Sequence, residues 1–420
     1  MFRSLTPAGN KISIQAIFRA LIMMRRKDIV NIFEEKLKQY LQVKHCFLTS
    51  SGTASLYLAL ISLKELSDKH EVIMPAYTCP SVLATVIKAG LKPVLCDLDE
   101  ESSIFKYTEL KTKISNHTLT IISVHLFGIL ENSFKINKLK SSHNVFHIED
   151  AAQSFGTKTS NPTETTVPQT KPGTTGDIGI YSFGRGKPLT LMQGGALTTN
   201  SDAIAKAISQ KLNELGHQSA TETFKIILDA LSYSLFFHPR LYWIPQSLPF
   251  LKLGETIFNL DFKIKQIDSF TSALGTVMIE NISKINMIRI EIEKSIFSKL
   301  SDFRNYFLTN VKNSSHLLRF PLLLKNKEQK ESVLSQLKFR CLGATGMYPA
   351  PLNLFKDTKK YFNSNEQYKN AQSFSERILT LPLHEYVTEN DIDKIGNIME
   401  NIITKSNQPN NPITQFPKHL

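Results

Sequence analysis

Hydrophobic and polar positions follow two rhythms along this chain. From about residue 27 to 200, short apolar runs bounded by turn residues are separated by stretches whose apolar residues recur three and four apart. The runs 45–49, 71–74, 93–96, 118–124, 144–148, 178–183 and 195–199 predict strands. The stretches 28–41, 54–63 and 81–89 predict helices, the last closing at Gly90. Strand and helix in alternation imply an α/β domain with a mainly parallel sheet. Ligands of such sheets sit outside the carboxyl ends of the strands, so polar residues there are site candidates.

Other stretches have different textures. Residues 12–24 are apolar with helical spacing (Ile14, Ile17, Phe18, Leu21, Ile22) and predict a packed amphipathic helix. Residues 158–176 are polar and rich in Thr, Ser, Pro and Lys, which predicts a mobile surface loop of unusual length. Residues 217–260 are rich in Phe, Leu and Pro and hold the single Trp, Trp243. This insert reads as a subunit contact by default, with a substrate lid or a membrane-surface patch as alternatives. Residues 271–300 predict one long helix, and 305–405 alternate strand and helix again, with strands at 317–324 and 379–382. The expected organisation is a large α/β domain over 1–275, a smaller C-terminal α/β domain over 276–405 and a flexible tail over 406–420.

Composition narrows the classes. The chain has 420 residues, 41% hydrophobic and 21% charged, which suits a globular protein and excludes disorder. The net charge of +13 admits nucleic acid, anionic surfaces or anionic metabolites. Lys and Arg are scattered, and the densest cluster, Arg25-Arg26-Lys27, is too short for a nucleic-acid arm, so no nucleic-acid partner is expected. The four cysteines form no C-x-x-C pair, which argues against zinc, gives no disulfide framework and points to a reducing cytoplasm. No segment is apolar for long enough to cross a membrane, and 12–24 lacks a signal-peptide cleavage pattern.

Gly179 to Lys187 resembles a Walker A loop, but Tyr181 stands where its first glycine belongs and Pro188 where its hydroxyl residue belongs. No G-x-G-x-x-G follows a strand. Ser50-Ser51-Gly52-Thr53 opens a helix after a strand, which makes either an anion site or an ordinary helix cap.

Three features together fit one cofactor. Gly52 and Thr53 suit a phosphate; Asp150 ends a buried-type strand; Lys187 lies in a Gly-rich turn five residues after Ser182. Pyridoxal 5′-phosphate needs a lysine for covalent attachment, an acid beside the pyridine nitrogen, and amides and hydroxyls for the phosphate. Taken singly, Asp150 reads equally as a helix cap and Lys187 as a solvated loop residue.

Several blocks carry a family resemblance. They are Ser51-Gly52-Thr53-Ala54, Pro75-Ala76-Tyr77-Thr78, Val124-His125-Leu126-Phe127-Gly128, Glu149-Asp150-Ala151-Ala152-Gln153-Ser154, Gly176-Asp177-Ile178-Gly179, Tyr181-Ser182-Phe183, Met347-Tyr348-Pro349 and Leu381-Pro382-Leu383-His384. In this order, from about residue 30 to 400, the chain resembles the DegT/DnrJ/EryC1/StrS aminotransferases, fold-type I pyridoxal-phosphate enzymes that mostly aminate nucleotide-linked keto sugars. The resemblance implies that Lys187 is the Schiff-base lysine and that Asp150 pairs with the pyridine nitrogen. It implies that Gln153 lies by the ring's phenolic oxygen and that Gly52, Thr53 and Ser182 hold the phosphate. It further implies a homodimer, an amino donor such as glutamate, and a nucleotide-linked keto sugar for a surface polysaccharide or glycoconjugate.

Lys187 argues against the dehydratase relatives that carry histidine there. A non-sugar ketone, or a non-catalytic regulator or membrane-surface protein that keeps the fold, stays open. Three departures from the family pattern bear on substrate. Cys79 stands where an aromatic usually stacks on the cofactor, with Tyr77 as a candidate to compensate. The stretch around 263–274 lacks the Asn that many relatives offer to the partner's phosphate, with Lys263 or Lys265 as substitutes. The 158–176 loop and the 217–260 insert depart from a minimal member.

Overall fold

The computed structural model describes residues 3–141, 143–159, 170–248, 254–309, 311, 314–363 and 365–406. Helices α1 (Ile14–Met23) and α2 (Ile29–Leu41) lead into β1 (His45–Thr49). There follow α3 (Gly52–Lys64), β2 (Glu71–Pro75), α4 (Pro80–Lys88), β3 (Lys92–Cys96), α5 (Tyr107–Lys113), β4 (Thr118–Val124), α6 (Ser133–Lys140), β5 (Phe146–Asp150), β6 (Lys158–Thr159), β7 (Ile178–Ser182) and β8 (Gly195–Thr199). The remainder comprises α7 (Asp202–Asn213), α8 (Ala220–Phe236), α9 (Trp243–Gln246), α10 (Ser269–Met278), α11 (Ile282–Lys299), β9 (Ser314–Ser315), β10 (Arg319–Leu323), α12 (Lys327–Phe339), α13 (Lys369–Arg377), β11 (Ile378–Pro382) and α14 (Glu389–Ser406).

The large sheet has seven strands in the order β1-β8-β7-β5-β4-β2-β3. Its pairs are parallel except where β8 runs against β1 and β7. Both faces are covered, as a largely parallel sheet requires. Successive strand residues point to opposite faces, and the apolar clusters divide accordingly. Ile122, Ile148, Ile180 and Leu197 pack with α3 and α4; Ile121 packs with Ile136 and Leu110; Tyr181 and Ala196 pack with Phe33 and Phe155. Strands β10 and β11 pair antiparallel as a separate small sheet beside α12, α13 and α14.

Four expectations change. The long helix over 271–300 is two helices joined by a 3-10 turn at Ile279–Asn281. On one side of that turn α10 packs on α1 and α2, and on the other α11 packs on α14. The expected domain boundary at 275/276 falls inside α10. The 158–176 stretch is not wholly a surface loop: β6 pairs with β9, and Pro172 and Gly173 are buried. Of the rest, 160–169 lie outside the described residues, as do 407–420 of the expected tail. In α1 the inward residues are Ala16, Ile17 and Ala20, whereas Ile14 (71%), Phe18 (63%) and Ile22 (57%) face outward.

Gly275 lies mid-helix in α10, and a Cβ there would sit 2.3 Å from Cζ of Phe33. Phe33 is fully buried with its ring 5.7 Å from that of Phe183, which precedes the Lys187 turn. Alanine is favoured over glycine in a helix by about 1 kcal/mol, but overpacking a core costs about 1–3 kcal/mol, and a ring held on both sides has little room to withdraw. Gly275→Ala is expected to lower the urea midpoint; a raised midpoint contradicts this packing.

Candidate active site

The site forms where β1, β5 and β7 end. Ser51 caps α3, accepting from Ala54 N at 3.0 Å through Oγ and from Ser55 N at 2.9 Å through its carbonyl. The first amides of a helix have no intrahelical acceptor, so those of Gly52 and Thr53 are left to bind something else. Gly52 lies against Ser182: a Cβ on it would be 2.7 Å from Ser182 Cβ. Glycine at 195 is equally required, because a Cβ there would lie 2.4 Å from the Ser51 carbonyl. Three of the expected site residues thus share one cradle. Among the described residues the hydroxyls of Thr53 and Ser182 make no hydrogen bond.

Asp150 closes β5. Its carbonyl accepts from His125 N at 3.1 Å and its Oδ1 from Ala152 N at 3.0 Å, while Oδ2 has no hydrogen-bond partner among the described residues. Burial pushes its carboxyl above the usual range, against a pull from the Lys187 ammonium, with which it forms no ion pair. Lys187 therefore lies within electrostatic reach of Asp150 across the site, and its amine makes no hydrogen bond among the described residues.

Glu149, one residue earlier, points to the other face and is fully served. It accepts from His125 Nε2 at 3.1 Å, Ser133 Oγ at 2.7 Å, Gly173 N at 3.3 Å, Thr175 N at 2.7 Å and Gly176 N. His125 Nδ1 accepts from Glu131 N at 3.0 Å, so Nε2 carries the ring proton and donates to Glu149. Burial alone would raise the Glu149 carboxyl; His125, His147 and Ser133 outweigh it and hold it at about 2. This network ties residues 173–176 to the back of β5.

Gln153 and Lys187 line one cavity of about 630 Å³. Gln153 Oε1 accepts from Phe127 N at 3.1 Å, holding a turn in which Phe127 has φ +61°, and its Nε2 donates to Tyr348 Oη at 3.2 Å. Tyr348 is a site residue that sequence reasoning left without a role. Its signal was the Met347-Tyr348-Pro349 block, which names no chemistry by itself. The cavity also takes in Arg185, Tyr242, Gln246, Arg319 and Lys338, so the 217–260 insert supplies part of its wall. Gly52, Thr53, Ser182 and Asp150 do not line this cavity.

The suggested substitutes already have partners within this chain. Tyr77 is fully buried, packs between Tyr348 and Phe374, and donates to Tyr348 O at 3.1 Å, so it cannot replace the stacking aromatic missing at Cys79. Lys263 and Lys265 are both paired with Glu222 of the same chain, at 2.6 and 2.7 Å.

The strand ends of this α/β sheet thus carry a glycine-opened helix start, a buried acid and a lysine without a hydrogen bond among the described residues, an arrangement suited to a group-transfer enzyme. The chain belongs to the DegT/DnrJ/EryC1/StrS aminotransferase family, which it matches over residues 15–400. GDP-perosamine synthase of Vibrio cholerae is 31% identical over 179 residues, 43% of this chain and 46% of that protein. UDP-2-acetamido-2-deoxy-3-oxo-D-glucuronate aminotransferase of Pseudomonas aeruginosa is 25% identical over 365 residues, 85% of this chain and 86% of that protein. Among solved structures, the PLP form of Spr1654 from Streptococcus pneumoniae has the same fold, with a TM-score of 0.75 at 19% identity over 96% of this chain and 99% of that one.

Glu149→Gln puts an amide NH₂ among donors that need an acceptor. A buried charge-assisted network of this kind is worth several hydrogen bonds of about 1.5–3 kcal/mol each. The variant is expected to melt lower at pH 7. Because the Glu149 carboxyl is held below its unfolded value, its stabilisation is present above about pH 4.5 and fades as pH falls toward 2. The gap between wild type and variant should therefore narrow in acid, read by thermal melts from pH 7 to 3; a constant gap contradicts the assignment.

Proposed function

We propose that this aminotransferase moves an amino group from glutamate to the keto group of a nucleotide-linked sugar. The observation that carries this reading is the set of polar groups without a hydrogen-bond partner among the described residues near the ends of β1, β5 and β7, linked by the Gly52–Ser182 approach and by the field between Asp150 and Lys187. These are the amides of Gly52 and Thr53, the hydroxyls of Thr53 and Ser182, Asp150 Oδ2 and the Lys187 amine. They match the three functional ends of pyridoxal 5′-phosphate, which is the cofactor: a phosphate, a ring nitrogen and an aldehyde.

Gly52, Thr53 and Ser182 would hold the phosphate at the positive end of α3. Asp150 Oδ2 would accept from a protonated ring nitrogen, an electrostatic gain that would offset its burial. When bound, the cofactor supplies an electron sink for the pair left by a broken carbon–hydrogen bond. The Lys187 amine would take up a proton as a general base and give one back as a general acid. Gln153 and Tyr348 form the wall beside Lys187. The reaction is ping-pong, with donor and acceptor using the same cavity in turn.

The acceptor class rests on the names of the relatives, a GDP-perosamine synthase and an aminotransferase of a UDP-linked 3-oxo sugar. A cavity of about 630 Å³ with Arg185, Arg319 and Lys338 in its wall suits a sugar joined to a diphosphate. The large sheet domain holds the cofactor, and the smaller C-terminal α/β part that follows α10 covers it.

We assign the protein to the cytoplasm, on the support of four free cysteines. Among the described residues no helix is long and apolar enough to cross a membrane. The working unit is a homodimer. Ile14, Phe18 and Ile22 on α1 and Phe224, Leu228, Leu231 and Leu235 on α8 face outward from two helices in contact, an apolar area that a partner subunit would cover.

Lys187→Ala is expected to lower turnover with glutamate and a nucleotide-linked keto sugar by about 10²- to 10⁴-fold, while the variant still binds pyridoxamine 5′-phosphate. Product mass spectrometry reads the amination, and full activity in the variant would refute the reading. Sedimentation is expected to give a dimer for wild type and a monomer for Phe18→Glu with Leu228→Glu; a monomeric wild type contradicts the assembly.

A further inference from the structure

The segment 3–12 lies ahead of the family match, which begins at residue 15. It nevertheless runs along the active-site cavity, where Ser4, Leu5 and Pro7 form part of the wall. Hydrogen bonds and an ion pair hold its first four residues. Arg3 pairs with Asp391. Ser4 N donates to Pro239 O at 2.8 Å and its Oγ to Gln246 at 2.6 Å. Leu5 N donates to Cys341 O at 2.9 Å, and Thr6 O meets His384 Nε2 at 2.8 Å. Gly9 has φ +121°, and a Cβ there would lie 2.4 Å from Tyr233 Oη on α8. This strap joins the insert, the small sheet and α14.

Its end touches the chemistry. Asn10 is buried, and its Nδ2 donates to Pro188 O and, at 3.5 Å, to Lys187 O. Its Oδ1 accepts from Arg289 Nη2 at 2.6 Å, and the same guanidinium reaches Pro188 O at 3.4 Å. Arg289, on α11, is fully buried, and among the described residues no carboxylate pairs with it. The amide orientation of Asn10 is therefore fixed, since a guanidinium can only donate and a carbonyl can only accept.

The turn that carries Lys187 has glycine at 184 and at 186, the latter at φ +73°. Glycines leave such a turn conformationally permissive, so its shape must be imposed from outside. Thr190 Oγ1 supplies one bond, to Lys187 O at 2.9 Å. We propose that Asn10, held by Arg289, is a positioning residue for Lys187: its amide fixes the carbonyls of Lys187 and Pro188 and so the direction of the Lys187 amine. This rests on the proposed function, in which Lys187 is the reactive amine.

The test compares two ligands on apoprotein of wild type, Asn10→Asp and Asn10→Ala. Pyridoxal 5′-phosphate attaches to Lys187: the amine nitrogen bonds to the aldehyde carbon and the aldehyde oxygen leaves as water. Pyridoxamine 5′-phosphate makes the other contacts but cannot form that bond. Asn10→Asp keeps the acceptor for Arg289 and removes the donor to the two carbonyls. Both variants are expected to slow appearance of the visible band by about 10- to 100-fold, the scale of a misplaced reacting group, with the pyridoxamine 5′-phosphate dissociation constant unchanged. Should both Asn10 variants fail to fold, Arg289→Lys, which keeps a donor for Asn10, is expected to show a smaller slowing with the same unchanged dissociation constant. Wild-type rates in the variants, or a parallel loss of pyridoxamine 5′-phosphate affinity, would overturn the proposal. A wild type that takes up neither ligand would instead sink the functional reading.

Discussion

A carboxylate taken out of water must find positive charge or hydrogen bonds, and at the end of β5 two in succession must do so. Glu149 finds five donors and sits well below the usual carboxylate range. Asp150 finds one amide and the field of Lys187, keeps an oxygen unused, and sits above that range. The asymmetry separates structure from function. Glu149 spends its charge on holding residues 173–176 against the strand. Asp150 retains an electrostatic deficit that a protonated ring nitrogen would relieve.

The rest of the fold serves to bring partners to that deficit. Parallel strands end on one side of the sheet, which places Thr49, Asp150 and Ser182 together, although 133 positions separate the first from the last. The loops leaving them approach so closely that side chains are excluded: Gly52 lies against Ser182 and Gly195 against Ser51. Lys187 sits beyond, on a turn too glycine-rich to set its own shape. Contacts from the strap and from α11 supply that shape, so elements far apart in the chain converge on one amine.

Much of this was legible in the sequence. The seven sheet strands, with short apolar runs and flanking turn residues, were expected close to where they lie, because burial on both faces leaves a continuous apolar signal. The blocks around Thr53, Asp150 and Lys187 pointed to one cofactor because each residue type has a distinct chemical duty. What stayed hidden depends on three-dimensional convergence. The break at Ile279–Asn281 leaves the 3.6-residue rhythm intact and shows no Pro or Gly. Tyr77 and Tyr348 look alike as sequence, yet one is sealed in the core and the other bonds Gln153. The outward Ile14, Phe18 and Ile22 share the helical spacing of a buried face, and periodicity does not say which side of a helix a partner covers. Asn10 and Arg289 lie 279 positions apart, and nothing local joins them.

The central claim is that the free amine beside Asp150 is the reactive group. The most direct test is to add pyridoxal 5′-phosphate to the purified protein, reduce with borohydride and map the modified peptide by mass spectrometry. The expected result is a single stoichiometric adduct on Lys187, lost in Asp150→Ala or strongly diminished there. Adducts scattered over surface lysines, with Lys187 unmodified, would contradict the account.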